Sequence, residues 1–127
     1  MPYLDFTEMP VWQKANEIVG DIYKLTEGLP KREDYALCSQ IRDAAISIAA
    51  NIAEGFGRFH YQENIQFCRQ SRGSLNEKKD HLITGFDEEY INSDQLKILN
   101  DEYKACLKEL NIYIKYLKSA KEIINKK

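Results

Sequence analysis

The sequence lacks the residue combinations from which most enzyme sites and metal centres are built. It has only two histidines, His60 and His81, and no Glu-x-x-His pair of the kind that a di-iron helical bundle requires. Its three cysteines (Cys38, Cys68 and Cys106) are far apart and show no zinc-ligand spacing. No serine or cysteine lies beside a histidine as a nucleophile would. We therefore expect no catalytic residue, no metal, no cofactor and reduced cysteines in the core.

Long apolar runs are also missing, and proline and glycine are few. No stretch approaches the length of a membrane span, and Met1–Met9 shows no signal-peptide pattern. The expectation is a cytoplasmic protein without membrane contact. The three prolines and six glycines mostly mark the ends of segments, and between them no apolar–polar alternation typical of a strand occurs.

The charge has no strong excess of either sign. Eighteen basic and 20 acidic residues give a net charge of −2, which argues against a generic nucleic-acid coat protein. The distribution is uneven, however, because residues 97–127 hold eight lysines and four acidic residues. This asymmetry predicts a mildly basic face on the last part of the chain.

Apolar residues recur at spacings of three and four, which predicts an all-α protein with a single domain over residues 1–127. The expected helices run from about Pro10 to Glu27, Glu33 to Phe56, Tyr61 to Phe86, and from a cap at Asn92 or Ser93 to about Ile124. Short connections favour an antiparallel up-down-up-down four-helix bundle. The 3.5-residue repeat of the fourth helix predicts left-handed supercoiling.

The second predicted helix is apolar on almost every side between Ile41 and Arg58. Such a helix must be buried from several directions, and in a short chain the extra cover is another copy of the protein. Ala45, Ala49 and Ala53 form a ridge of small residues. We expect Gly73 on the third helix to receive this ridge, and Gly85 to fray the end of that helix.

A polar corner follows the second helix. Gly55 is expected to adopt the positive φ that ends a helix, and Gly57 to permit the reversal into the third helix. Glu54 and Arg58 could pair across the turn, or Glu54 could accept hydrogen bonds from the free amides of the third helix. Asn51, on an apolar helix, needs partners if it is buried.

Basic residues form two groups that make up a candidate nucleic-acid-binding set. One lies around the start of the third helix (Arg58, Arg69 and Arg72) and the other on the fourth (Lys104, Lys108, Lys115 and Lys118). Tyr61, Tyr113 and Tyr116 could add stacking surfaces. The alternative interpretation is a solvated helix face that keeps the protein soluble.

Several sequence blocks together resemble a known bacterial family. They are Val11-Trp12-Gln13-Lys14-Ala15, Gln40-Ile41-Arg42, Ser47-Ile48, Asn51-Ile52-Ala53-Glu54-Gly55, Gly57-Arg58 and Gly73-Ser74-Leu75-Asn76-Glu77. The chain resembles the four-helix-bundle proteins encoded in intervening sequences of large-subunit ribosomal RNA genes. It is also similar to the accessory variability determinant of diversity-generating retroelements, a basic pentameric barrel that binds a reverse transcriptase and nucleic acid. Asp43, where relatives are often basic, and the slightly acidic net charge depart from that pattern.

The resemblance implies an antiparallel bundle that assembles as a homopentamer. We therefore expect a non-enzymatic homo-oligomeric scaffold or accessory protein. Its expected partners are further copies of itself and, in addition, a protein or RNA. The alternative is an RNA-binding accessory of the ribosomal RNA or retroelement type. Candidate apolar anchors in the core or at the subunit contact are Trp12, Tyr23, Phe56 and Phe67.

Overall fold

The computed structural model describes residues 3–125, and this part of the chain is helical with no strand. The elements are a 3-10 turn Phe6–Glu8, α1 Pro10–Glu27, a 3-10 turn Lys31–Glu33, α2 Leu37–Phe56, α3 Tyr61–Asp87 and α4 Ser93–Asn125. The predicted all-α class and the four helices are confirmed. Met1 and Pro2, part of the segment expected to hold no signal peptide, lie outside the described residues, as do residues 126–127.

One apolar core lies between the four helices. The helix α2 packs on α1 and α3, α3 packs on α4, and α1 also contacts α4. Contacting residues run in opposite order along neighbouring helices, as Ser47 with Ser74 and Gly55 with Asn64 show for α2 and α3. Each helix supplies one buried stripe, including the fully buried residues Ile18, Ile48, Ile52, Leu75 and Leu110. Burying such a side chain contributes about 1.5–3 kcal/mol, so these stripes determine how the helices face one another.

Seven of the eight predicted helix ends lie within about one residue of the observed ones, and only the predicted start of α2 is wrong. The helix α1 has the predicted bounds and Pro10 in its first turn, where the missing N–H is not needed. The helix α2 begins at Leu37, four residues after the predicted Glu33. Glu33 instead closes a 3-10 turn, and its Oε2 accepts a hydrogen bond from the Leu37 amide at 3.3 Å. Glu33 therefore caps α2 from outside the helix.

The end of α3 is well fixed, so the expectation that Gly85 frays is wrong. Glu89 has a φ of 66°, and the amides of Tyr90 and Glu89 donate to Gly85 O and Phe86 O at 2.8 and 3.0 Å. These two bonds form a Schellman motif with Glu89 in the left-handed position. Ile91 packs on Gly85 so closely that a Cβ there would lie 2.7 Å from Ile91 Cδ1.

The alanine ridge of α2 is largely buried, but Gly73 of α3 does not receive it. Ala45 and Ala49 are buried, whereas Gly73 faces open space with nothing within 4 Å of a Cβ built there. The prediction for Gly73 is therefore wrong. Ser71 lies at the close approach instead, and its Oγ donates to the carbonyl oxygen of Ile48 at 2.7 Å. The serine hydroxyl satisfies its own hydrogen bond within the tight helix contact.

None of the four candidate aromatic anchors is fully buried within one chain, and their place at a subunit contact stays a prediction. Trp12 is half-buried, and its ring meets that of Phe6 edge-on, with centroids 5.2 Å apart. Phe56 and Phe67 are also half-buried, and Tyr23 is 42% exposed. All three cysteines are buried and free, which confirms their interpretation as core residues. No helix within residues 3–125 is long and apolar enough to cross a membrane.

Candidate nucleic-acid interface

The corner between α2 and α3 is built on a close approach of the two helices. Gly55 lies inside α2, and no glycine in the described chain has a positive φ, so the predicted left-handed conformation is wrong. A Cβ on Gly55 would lie 2.6 Å from Asn64 Oδ1 and 2.9 Å from Phe67 Cβ. Gly55 is thus required for contact between helices. Gly57 follows as the residue that ends α2, with a φ of −76°.

The polar residues of the corner find partners close by. Arg58 Nη2 donates to Glu54 Oε1 at 2.7 Å, so of the two alternatives for Glu54 the structure shows the ion pair. The Arg58 guanidinium also lies 4.8 Å from the centroid of the Phe67 ring. Asn51 donates to the Ser47 carbonyl oxygen and hydroxyl at 2.9 and 3.0 Å. Arg58 therefore makes local contacts, which leaves less of its charge available to a partner.

Most of the predicted basic residues share one face. Four of the six lysines of α4, together with Asn111, follow at spacings of four and three (Lys104, Lys108, Asn111, Lys115 and Lys118), so they form one stripe. Arg72 of α3 reaches this stripe, because its Nη1 donates to Asn111 Oδ1 at 2.9 Å. Arg69 and Lys118 line one shallow hollow between the two helices. We call these six basic residues, Arg69, Arg72 and the four lysines, the basic face.

Arg58 is separate from the basic face and lies beside a larger cleft. This corner cleft, of about 680 Å³, is bounded by the α2–α3 connection and the end of α4. Its lining includes the three tyrosines considered for stacking, Tyr61, Tyr113 and Tyr116, together with Arg58 and Lys121. Lys121 and Gln62 line both the corner cleft and the hollow of Arg69 and Lys118, so the two surfaces adjoin.

Tyr113 is held rigidly in the wall of the corner cleft. It is buried, its hydroxyl accepts a hydrogen bond from Asn64 Nδ2 at 3.0 Å, and its ring stacks on Tyr116 with centroids 6.3 Å apart. Burial raises the pKa of Tyr113 to about 12, so the hydroxyl stays neutral. The cleft thus presents uncharged aromatic rings beside cationic side chains, a combination suited to unstacked bases.

A buried lysine is the main polar feature that sequence reasoning missed. Lys78 of α3 is 0% exposed, and its Nζ has no hydrogen-bond partner. Burial lowers the pKa of Lys78, and the charge of Glu102 on α4 partly offsets that effect. The sequence held a signal, because position 78 continues the buried spacing of Ser71, Leu75 and Leu82. The neighbouring Lys79 and Asp80 are typical of a solvated helix face, so the sequence favours an exposed position for Lys78.

Glu102 is the acidic neighbour of Lys78 and is itself perturbed. Burial, followed by a hydrogen bond to the Asp21 side chain and the negative charge of Asp21, raises the pKa of Glu102 to about 8. Its Oε1 has no hydrogen-bond partner. Lys78, Glu102 and Asp21 therefore form a polar cluster that links α3, α4 and α1, in which Lys78 is buried, Glu102 is half-buried and Asp21 is exposed.

The described residues offer little for nucleophilic or metal chemistry. Burial raises the pKa of Cys68 to about 12 and of Cys106 to about 11, so both thiols stay protonated and unreactive at neutral pH. Within residues 3–125 no group of three or more His, Cys, Asp and Glu residues is placed to hold a metal ion. His60 is exposed, and His81 lies 3.4 Å from Glu77 Oε1.

The sequence matches a known family over most of its length. A family model described as 23S rRNA-intervening sequence protein matches residues 7–112. The chain belongs to this family. A crystal structure of a protein of unknown function from the S23 ribosomal protein family of Bacteroides thetaiotaomicron has a TM-score of 0.77 and 25% identity, and the match covers 83% of this chain and 95% of that one. A comparison with curated proteins finds no match.

The match to the 23S rRNA-intervening sequence protein model covers some of the candidate residues and leaves others outside it. It includes α1, α2, α3 and the greater part of α4, and with them the corner residues and four members of the basic face, Arg69, Arg72, Lys104 and Lys108. Lys115 and Lys118 lie beyond residue 112. The solved relative from the S23 ribosomal protein family has no assigned function, so the family match carries no activity to this chain.

Proposed function

We propose that the protein is a non-enzymatic, homo-oligomeric scaffold or accessory protein of the cytoplasm. The observation that supports this most is the outer side of α2. Ile46 is 42% exposed and Ala50 is exposed one turn later, although α2 is already covered by α1 and α3. An apolar pair on a helix surrounded by its own neighbours gains stability when a second copy covers it. The family resemblance supplies a pentamer as the expected assembly.

The assembly is tested by sedimentation velocity of the purified protein at micromolar concentration. We expect an oligomer, and Ile46→Asp should shift it towards the monomer because a carboxylate would be buried in the contact. Ile98→Asp is the matched control, since Ile98 is a 67% exposed isoleucine on α4. A wild-type monomer would contradict the proposal. Dissociation by Ile98→Asp but not by Ile46→Asp would move the contact from α2 to α4.

A second candidate function, RNA binding, is favoured by the basic face. Its arginines and lysines come from two helices onto one side, and the corner cleft with its tyrosines adjoins them. Repetition of this face around an oligomer would add multivalent contact with phosphates. The slightly acidic net charge of −2 means that binding would depend on this local surface.

RNA binding is tested by fluorescence anisotropy of a labelled structured RNA at low and moderate salt. We expect affinity to fall with salt and to be lost on charge reversal of Arg69 and Arg72 to Glu, because each arginine would neutralise a phosphate. Lys24→Glu, at an exposed position on α1, is the control with the same type of charge change. Equal binding by the double variant and wild type would refute the basic face as the RNA site.

A further inference from the structure

The connection between α2 and α3 carries an aromatic ring that packing of the bundle does not use. Phe59 is 93% exposed, and its ring meets that of His60 edge-on, with centroids 5.0 Å apart. Phe59 is also part of the lining of the corner cleft, so it lies at the mouth of that cleft. A ligand in the cleft can therefore cover the ring without any rearrangement of the four helices.

Two further rings line the corner cleft and remain partly accessible. Tyr61 of α3 and Tyr116 of α4 are both half-buried. Tyr116 is held in place by stacking on Tyr113, and the planes of these two rings are inclined by only 17°. The volume of about 680 Å³ is within the range of pockets that hold drug-sized ligands. The cleft therefore has room for a flat ring system beside aromatic side chains.

The cleft is positively charged where it meets the hollow of the basic face. Of the described residues that line the cleft, none is acidic. Lys121 is half-buried and lines both the cleft and the hollow, so its charge lies at the boundary. Its Nζ donates to Gln62 Oε1, which is neutral, so this bond leaves the positive charge uncompensated. Arg58 is less available to an anion, because Glu54 already pairs with it.

We propose that the corner cleft holds one unpaired nucleotide of an RNA, with its base against the rings of Phe59 and Tyr116 and its phosphate at Lys121. The proposal rests on the RNA-binding function proposed above and specifies which feature of the RNA is recognised. Inside a duplex both faces of a base are covered by its neighbours, whereas an unpaired base offers a face to an aromatic ring. The aromatic cleft therefore selects RNA with an unpaired nucleotide.

The adjoining hollow favours RNA over a protein as the occupant. It is lined by two members of the basic face, Arg69 and Lys118, and by Lys121, against one acidic residue, Glu122. The phosphates next to the unpaired nucleotide would lie along these cations, since the backbone carries one negative charge per nucleotide. An apolar side chain of a protein partner would cover Phe59 but would leave the cations of the hollow without a counter-charge.

The experiment compares two labelled RNAs, a blunt duplex and the same duplex with one extra, unpaired adenosine, by fluorescence anisotropy with the full chain at constant salt. We expect the bulged duplex to bind about fivefold more tightly or better, because stacking of one base is worth at least about that factor. Phe59→Ala should remove this preference and leave the affinity for the blunt duplex unchanged. Tyr35→Ala is the matched control, since Tyr35 is a 99% exposed aromatic residue near the opposite end of α2, and it should keep the preference.

Lys121→Gln tests the phosphate contact independently of the aromatic rings. We expect it to weaken binding of the bulged duplex more than binding of the blunt one, because the phosphate of the unpaired nucleotide loses its cation. Lys97→Gln, at an exposed position in the first turns of α4, is the matched control and should leave the ratio of the two affinities unchanged. Far-ultraviolet circular dichroism checks that each variant is folded.

The outcomes separate this proposal from RNA binding itself. If wild type binds neither duplex, both proposals fail. Equal affinity of wild type for the two duplexes, with binding still lost on charge reversal of Arg69 and Arg72, would leave RNA binding in place and overturn the role of the cleft. A preference that is unchanged in Phe59→Ala would overturn it too. So would a shift of Phe59→Ala towards the monomer in sedimentation velocity, which would place the ring in a subunit contact.

Discussion

At the scale of single residues, Gly55 and Gly73 play different roles. Gly55 and Gly73 both lie inside helices and both belong to the blocks that carry the family resemblance. Only Gly55 is at a helix contact, where Asn64 and Phe67 occupy the space that a side chain would need. Gly73 faces open space. The type of residue alone does not distinguish the two positions, but the packing does.

This difference leads to a paired prediction. Gly55→Ala should lower the free energy of unfolding by about 1–3 kcal/mol, because α2 and α3 must separate to admit a methyl group. Gly73→Ala should raise it by up to about 1 kcal/mol, since alanine is the better helix former and meets nothing there. Urea unfolding followed by circular dichroism measures both. Equal changes in the free energy of unfolding for the two substitutions would show that the corner between α2 and α3 admits a methyl group without cost.

The same comparison shows what sequence can predict at this scale. The buried positions of α2 and α4 follow from apolar spacing, because that spacing reports which side of a helix faces a core. The role of Gly55 does not follow, since a close helix contact depends on residues of α3 that are distant in sequence. Lys78 was missed because its charge outweighed its position on the buried stripe, where apolar neighbours occur at 75 and 82.

At the scale of elements, the connections between helices are held by side chains and backbone caps. The helix α4 begins with a reciprocal pair in which the Gln95 amide donates to Asn92 Oδ1 at 2.8 Å and the Asn92 amide donates to Gln95 Oε1 at 2.9 Å. This capping box selects Asn92 from the two residues expected to cap α4. The preceding Schellman motif ends α3, so five residues suffice to reverse the chain.

Glu89 is the strained position of that connection, which yields a prediction for the element. Its φ of 66° is unfavourable for a residue with a Cβ. Glu89→Gly should therefore raise the free energy of unfolding by about 1 kcal/mol, because glycine adopts this conformation without cost. Glu88→Gly is the matched control: Glu88 has a φ of −85°, and there glycine only adds freedom to the unfolded chain. Midpoints of urea unfolding compare the two, and a Glu89→Gly variant no more stable than wild type would contradict the assignment.

The bounds of α1 could be predicted from the sequence, whereas the start of α2 could not. Pro10 and the glycine after Glu27 mark α1 in the sequence, and its bounds are confirmed. The start of α2 has no such marker, because its cap is the Glu33 side chain acting from a preceding 3-10 turn. Glu33 is also held from elsewhere, since its Oε1 accepts a hydrogen bond from the Tyr90 hydroxyl.

At the scale of the whole molecule, the polar cluster of Lys78, Glu102 and Asp21 joins three helices and makes stability depend on pH. The pKa of Glu102 is raised from 4.5 to about 8 in the fold, chiefly by burial. Between these values the folded state binds more protons than the unfolded chain does. The stabilising contribution is thus complete below about pH 4.5 and lost as the pH rises through about 8.

We therefore predict that the melting temperature falls between about pH 5 and pH 8, and that Glu102→Gln flattens this slope because an amide cannot lose the proton. The lowered pKa of Lys78 acts in the opposite direction at higher pH, where the unfolded chain binds the extra proton. Glu122→Gln, at an exposed position on α4, is the control and should keep the wild-type slope. Identical slopes for wild type and Glu102→Gln would show that Glu102 is ionised in the folded protein.

The position of Trp12 determines what an optical measurement on this protein reports. It is the single tryptophan of the chain, and it lies at the start of α1 against Phe6 of the first 3-10 turn. Tryptophan emission therefore originates from one end of the molecule, whereas circular dichroism averages over all four helices. Loosening of the first 3-10 turn would shift the emission while the bundle stays helical. A fluorescence transition that precedes the dichroism transition would then reflect where the probe is placed, and it should not be read as a global folding intermediate.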